Sequence, residues 1–193
     1  LRIVRKEKVE GLERIEGSAR RIVTLVTGFI EASKAESGKV EIVHRPISVN
    51  RLLQEVARQQ EAELERKGLK LELTFDEKLP DILGDETQLD RVLWNLIGNA
   101  MKFTRSGGKI TVTSTCEDSH VCIAVKDTGI GIPKDEIPLL FSQFRRLKGA
   151  EKIEGSGLGL FIVKTIIEAH RGTVQAESDE QGSTFRARIP IRP

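Results

Sequence analysis

Between about Thr87 and Phe103 the side chains of Leu89, Val92, Leu93, Leu96, Ile97 and Ala100 recur with helical spacing. At about 100° per residue they fall on one broad apolar face. A face that wide must be covered by a second layer of structure. Beside it, Asn95, Asn99 and Lys102 share a wedge of about 60°. Two carboxamides and an ammonium group aligned this way can meet a magnesium ion and a polyphosphate, since Mg2+ favours hard oxygen ligands and keeps several waters. The same three residues also describe an ordinary solvated helix edge. Trp94 lies off the wedge and reads as a packing residue.

The 193 residues accommodate one full domain and a short appendage. With 31 Lys and Arg against 29 Asp and Glu, the net charge of +2 provides no strong field for nucleic acid or anionic lipid. Cys116 and Cys122 lie on neighbouring strand-like runs without metal-ligand spacing, and read as reduced thiols. No stretch approaches the roughly 18 apolar residues of a membrane span. The amino terminus, Leu1-Arg2-Ile3, lacks both an initiator Met and a signal-peptide pattern. The chain therefore reads as part of a longer protein, with any membrane anchor in segments outside it.

From Val9 to about Ala35, the residues Leu12, Ile15, Ala19, Ile22, Val26, Phe29 and Ser33 form a heptad seam that stops at Glu36-Ser37-Gly38-Lys39. Such a helix calls for partner helices. Val40 to Val43 alternates like a short strand, which Arg45-Pro46 breaks. A helix capped by the Ser48 hydroxyl then carries Leu52, Leu53, Val56 and Ala57 inward as far as Lys67-Gly68. Leu69 to Phe75 reads as a strand and Leu79-Pro80-Asp81 as a turn. After the central helix, Ile110 to Thr115 and Val121 to Val125 form a hairpin through Glu117-Asp118-Ser119-His120, with His120 exposed at its tip.

The second run of that hairpin delivers Asp127 to the turn Thr128-Gly129-Ile130-Gly131-Ile132-Pro133. Gly129 and Gly131 lack a Cβ and let the backbone approach a flat or anionic ligand. The Asp127 carboxylate is an acceptor that a purine amino group would suit, although Asp-x-Gly also marks ordinary turns. Pro133 is expected to open a short helix through Leu140. Phe141-Ser142-Gln143-Phe144-Arg145-Arg146 precedes an unpatterned stretch, Leu147 to Glu154, that reads as a lid. The two phenylalanines would anchor this lid while Arg145 or Arg146 reaches a phosphate. Gly155-Ser156-Gly157-Leu158-Gly159-Leu160 then opens an apolar helix, Phe161 to Ala169, whose free amides make an anion site. His170 reads as a partner of the dipole at that helix's end. Thr173 to Glu177 and Thr184 to Ile189 form a last hairpin through Gln181-Gly182.

Taken in order, Asn-x-x-x-Asn-x-x-Lys on a helix, Asp-x-Gly-x-Gly after a strand, Phe-x-x-Phe before a lid and Gly-x-Gly-x-Gly at a helix start resemble the N, G1, F and G2 boxes of sensor histidine kinases. The resemblance is to the catalytic and ATP-binding domain, within the superfamily of the gyrase, Hsp90 and mismatch-repair ATPases. It covers roughly residues 38 to 193, while residues 1 to 37 resemble the second helix of the dimerisation and histidine-phosphotransfer domain. It implies an α/β (α+β) two-layer sandwich of the Bergerat type, with a mixed sheet on one side and helices on the other, preceded by a coiled-coil-like helix. It implies ATP and Mg2+ as cofactors, with Asn99 the magnesium ligand. Asn95, Lys102 and Arg146 would serve catalysis. Asn99, Lys102, Phe103, Asp127, Gly129, Gly131, Ile132, Phe144, Arg145, Gly155, Ser156, Gly157, Leu158 and Gly159 would enclose the nucleotide. A response regulator and a homodimer through the helical domain are the implied partners, with no nucleic acid among them.

A P-loop would need Gly-Lys-Ser or Gly-Lys-Thr after its glycines, and none exists here. Two positions depart from the family. None of His44, His120 and His170 lies in the His-Glu-Leu-Arg type of phosphoacceptor motif, so the acceptor is expected outside this chain. Arg171 stands where the family often has glycine, which concerns a turn. The expected activity is transfer of the γ-phosphoryl of Mg-ATP to a histidine. The alternative is a non-catalytic, nucleotide-gated interaction module, against which the full set of boxes and the F box in particular argue.

Overall fold

The computed structural model describes residue 26, residues 42–147, residue 153 and residues 155–192. The heptad helix expected over residues 9 to 35, Val26 apart, and most of the expected lid lie outside the described residues. Within them, strand β1 (Arg45–Ile47) leads to helices α1 (Val49–Gln59) and α2 (Glu61–Lys67), then strands β2 (Lys70–Phe75) and β3 (Ile82–Gly84). Helix α3 (Glu86–Phe103) is followed by the hairpin β4 (Lys109–Glu117) and β5 (His120–Asp127). A 3-10 turn (Ile137–Leu139), helix α4 (Gly159–Ala169) and the hairpin β6 (Thr173–Asp179) and β7 (Gly182–Pro190) complete the order.

Five strands form one mixed sheet in the order β2-β4-β5-β7-β6, with β2 parallel to β4 and every other pair antiparallel. Period-2 alternation sends Ile110 and Val112 of β4, Val121, Ile123 and Val125 of β5, and Phe185, Ala187 and Ile189 of β7 to the buried face. Helix α3 meets that face with Leu89, Val92, Leu93, Leu96, Ile97 and Ala100, all buried as the spacing predicts. Each large aliphatic side chain so buried contributes about 1.5–3 kcal/mol. Helices α1 and α4 pack against α3 in the same layer, so the two-layer architecture and mixed sheet stand.

Some elements differ from the sequence reading. Arg45–Ile47 is a strand despite Pro46, because it pairs only with β3 in a separate two-stranded ribbon and needs no donor from the proline. The ribbon is joined to the far end of the chain, since the Leu83 N–H donates to the Ile191 carbonyl at 3.1 Å. Ser48 occupies the N-cap of α1 without a hydrogen bond from its hydroxyl. The expected continuous helix breaks at Gln60, and its second half ends at Gly68, whose φ of 64° is the left-handed cap that glycine favours. Pro133 opens only turns and the three-residue 3-10 helix Ile137–Leu139, because Pro138 cannot donate to an α-helical bond. Trp94 is 40% exposed and does not serve as core packing.

His170 is also not a charged partner of the α4 dipole. It is 1% exposed, with Nδ1 2.8 Å from the Ile166 carbonyl and Nε2 accepting the Asp85 N–H at 3.0 Å. Burial holds its pKa below the ordinary value, so the ring is neutral. The bond to Asp85 ties the end of α4 to the start of α3. There the Asp85 carboxylate caps α3 through the Gln88 N–H at 3.1 Å and also accepts the Val43 N–H at 3.2 Å.

Candidate functional site

The apolar alternation of the sheet ends in two polar residues. One step beyond Val125 on the buried face of β5 stands Asp127, and its register partner on β7 is Ser183. They are 3% and 6% exposed. Burial pushes the Asp127 carboxyl above the ordinary aspartate range, while the backbone amides of Gly129 and Ser183 pull it back. The Gly129 N–H donates to Oδ1 at 2.8 Å.

Around this carboxylate the backbone is packed too closely for side chains. A Cβ on Gly129 would lie 2.6 Å from both Asp127 Oδ1 and the Phe103 carbonyl oxygen. Gly131 has a φ of 69°, and a Cβ there would overlap the Asp179 carbonyl oxygen. The Ile130 N–H reaches the carbonyl of Phe103 at 3.3 Å, which fastens the glycine turn to the end of α3. Ile132 is buried, and its N–H donates to Ser178 Oγ at 2.8 Å.

The polar wedge of α3 faces the start of α4. Asn95 gives its Nδ2 hydrogen to the Arg91 carbonyl at 2.8 Å. A Cβ on Gly159 would stand 2.7 Å from Asn95 Oδ1 and 4.0 Å from Asn99 Nδ2, so the first turn of α4 lies against both asparagines. Lys102 is exposed near the C-terminus of α3. Leu158 is 1% exposed, and its N–H donates to the Ser156 hydroxyl at 3.3 Å. Gly155 has open space around it.

The Phe-x-x-Phe stretch touches the same glycines. Gly157, at a φ of 73°, is so close to the backbone of Phe144 and Arg145 that a Cβ would come within 2.7 Å of the Phe144 carbonyl carbon. Phe144 itself has a φ of 57° and is 54% exposed. Only Phe141 packs against the core, so the expected pair of anchors reduces to one. Arg145 is half-buried, with a buried Nε that has no hydrogen-bond partner. Exposed Arg146 donates to the Ile153 carbonyl at 2.8 Å.

The sequence boxes therefore form two adjoining groups. Asp127, Gly129, Gly131, Ile132 and Phe103 make one, while Asn95, Asn99, Gly157, Gly159 and Arg145 make the other. Sequence reasoning passed over Ser178 and Ser183, since an isolated serine in a strand carries no spacing signal. Register with Asp127 would have found Ser183.

The sequence pattern of the histidine kinase-, DNA gyrase B-, and HSP90-like ATPases matches residues 84–193, which hold all four boxes. The chain belongs to this family. Its relatives are histidine kinases. It is 34% identical over 186 residues to the circadian input-output histidine kinase CikA of Synechococcus elongatus, covering 94% of this chain and 25% of that protein. Full-length ShkA, crystallised with AMPPNP, superposes with a TM-score of 0.79 at 30% identity, covering 88% of this chain and 36% of that one. The catalytic domain of histidine kinase ThkA superposes with a TM-score of 0.70 at 30% identity over 78% of this chain and 99% of the domain. ThkA in complex with the response regulator TrrA gives 0.75 at 27% identity, over 92% of this chain and 49% of that one. The chain is thus an ATPase domain of the sensor histidine kinase type, while it spans well under half of CikA and ShkA. Among the described residues, no helix is long and apolar enough to cross a membrane.

Proposed function

We propose that this chain is the ATP-binding catalytic core of a two-component sensor kinase that moves the γ-phosphoryl of ATP to a histidine nitrogen. The observation that carries the reading is Asp127: a buried carboxylate at the end of the central strand β5, walled by glycine backbone, with no cationic side chain among the described residues to pair it. A buried acceptor of this kind is costly until a ligand donor meets it. The amino group of adenine supplies that donor.

From Asp127 the nucleotide would extend past Gly129 toward Asn95, Asn99 and the start of α4. There the free amides of the first turn favour phosphate oxygens. Lys102 and Arg145 would add positive charge, and Arg146 would act from the lid side. Among the described residues no three His, Cys, Asp or Glu side chains converge to hold a metal alone. The Asn99 carboxamide suits a hard cation that takes its remaining ligands from phosphate and water, so Mg2+ fits as a partner of ATP. It would supply charge neutralisation at the phosphates. The protein's own part is orientation and electrostatic stabilisation.

None of His44, His120 and His170 lies in a His-Glu-Leu-Arg context, which favours an acceptor outside this chain. His170 is buried with both ring nitrogens engaged, and His120 Nδ1 contacts the Asp118 carbonyl at a hairpin turn. We place the acceptor in a helical domain to which residues 1 to 37 would contribute, dimeric in the whole protein and read by a response regulator. Two experiments test the reading. Asp127→Asn should weaken ATP binding in titration calorimetry by about 1–3 kcal/mol, the scale of a hydrogen bond to a charged group; equal affinities would remove Asp127 from the site. Mixing this chain with a separately produced helical domain and labelled ATP should give an acid-labile, base-stable phosphoryl product. ATP binding without such a product would favour the non-catalytic module instead.

A further inference from the structure

The hydroxyl of Ser178 on β6 stands at the centre of a small network behind Asp127. It accepts the Ile132 N–H at 2.8 Å, lies 2.8 Å from the Gly182 carbonyl oxygen and 3.0 Å from the Ser183 hydroxyl. A serine hydroxyl has one hydrogen and two lone pairs. The Gly182 carbonyl can only accept, so it takes the single Ser178 hydrogen. One lone pair of Ser178 is used by Ile132, and the second receives the hydrogen of Ser183. All three bonds are satisfied only in this arrangement.

The direction of the Ser183 hydrogen matters because Ser183 is the register partner of Asp127 on the same buried face. Directly opposed residues on antiparallel strands have Cβ atoms about 4.5–5.5 Å apart. With its hydrogen committed to Ser178, Ser183 offers only lone pairs to a ligand at Asp127. Two neighbouring acceptors then face the same group.

We propose that Ser178 is a positioning residue that sets the polarity of the base-reading end of the site, making it select a 6-amino over a 6-keto purine. This rests on the reading that adenine lies against Asp127. An amino group has two hydrogens for the two acceptors, whereas a keto oxygen would face both with lone pairs. Without the Ser178 hydroxyl, Ser183 is free to rotate and donate, and the penalty against a keto group falls. The mechanism is therefore discrimination by repulsion as well as by attraction.

The test compares ATP with inosine triphosphate, its 6-keto analogue, by titration calorimetry on this chain. The wild type should prefer ATP. Ser178→Ala should reduce the ATP-to-ITP affinity ratio about tenfold, the equivalent of one lost polar contact of about 1.4 kcal/mol, and Ser178→Thr should restore it. Ser183→Ala removes an acceptor while leaving the Ile132 and Gly182 contacts of Ser178, and should also reduce the ratio. An unchanged ratio in both alanine variants, with the two nucleotides weakened equally or not at all, would overturn the proposal and leave Ser178 as loop support. If Ser178→Ala does not fold, the ratio in Ser183→Ala decides alone. A wild type that binds both nucleotides equally, or an Asp127→Asn variant with unaltered ATP affinity, would instead defeat the underlying placement of adenine.

Discussion

Asp127 is held above the ordinary aspartate range chiefly by burial, and a ligand that donates to it favours its ionised form. ATP affinity should therefore fall as pH drops through the raised carboxyl pKa and level off above it. Calorimetry at stepped acidic pH should show proton release on binding in that window, a signal that Asp127→Asn abolishes. Arg171 has a φ of 56°, the left-handed backbone that explains why glycine is frequent there. Arg171→Gly should be neutral or stabilise by up to about 1 kcal/mol, since a side chain in that region costs about 1–2 kcal/mol and glycine returns part of the gain as entropy. The midpoint of urea unfolding measures it. Phe144 shares this backbone region. Its position in a Phe-x-x-Phe pattern suggested an anchor, yet the conformation forced beside Gly157 leaves the ring outside. Sequence spacing does not report φ.

The elements most legible in the chain were those with many periods to count. Helix α3 repeats its apolar face over 18 residues, and β4 and β5 alternate across a tight hairpin whose Asp118 and Ser119 both have positive φ. Ribbon strands β1 and β3 are only three residues each, too short for alternation to show. The break at Gln60 lies inside a run of good helix formers, where propensity carries no signal for it. The family was legible in its boxes because glycine, asparagine and aspartate are informative at those spacings. The contact between the ends of α3 and α4 was not, because Asp85 and His170 are 85 residues apart. That contact has a pH dependence. His170 lies against Asp85, which favours its protonation, and His44, which opposes it, while burial dominates and keeps the ring neutral. The unfolded ring takes a proton near pH 6.5, so stability is complete above that value and declines as pH falls toward the lowered folded pKa. Urea midpoints should drop between neutrality and mild acidity, and His170→Gln should flatten that slope.

At the scale of the molecule, one surface of the sheet carries helices, and the proposed nucleotide site lies where its polar end meets α3 and α4. The fold class followed from sequence because a wide apolar helix face, strand-like hairpins and glycine turns agree on one arrangement. Its topology, with β2 parallel to β4 and β7 inserted between β5 and β6, could not be counted from residues. It depends on pairings far apart in the chain. The Leu83 to Ile191 hydrogen bond places β3, and with it β1, beside the last strand. Residues near position 45 and residue 191 are thus both held by strand β3. A short peptide could splice those two points and let new termini be cut in the Asp76-Glu77-Lys78 turn; such a rearranged chain should fold and retain nucleotide affinity, as circular dichroism and calorimetry would show. In evolutionary terms, a unit whose first strand and last strand are tied through one short ribbon strand keeps its points of entry and exit in a fixed relation, a property that suits transfer between different parent chains.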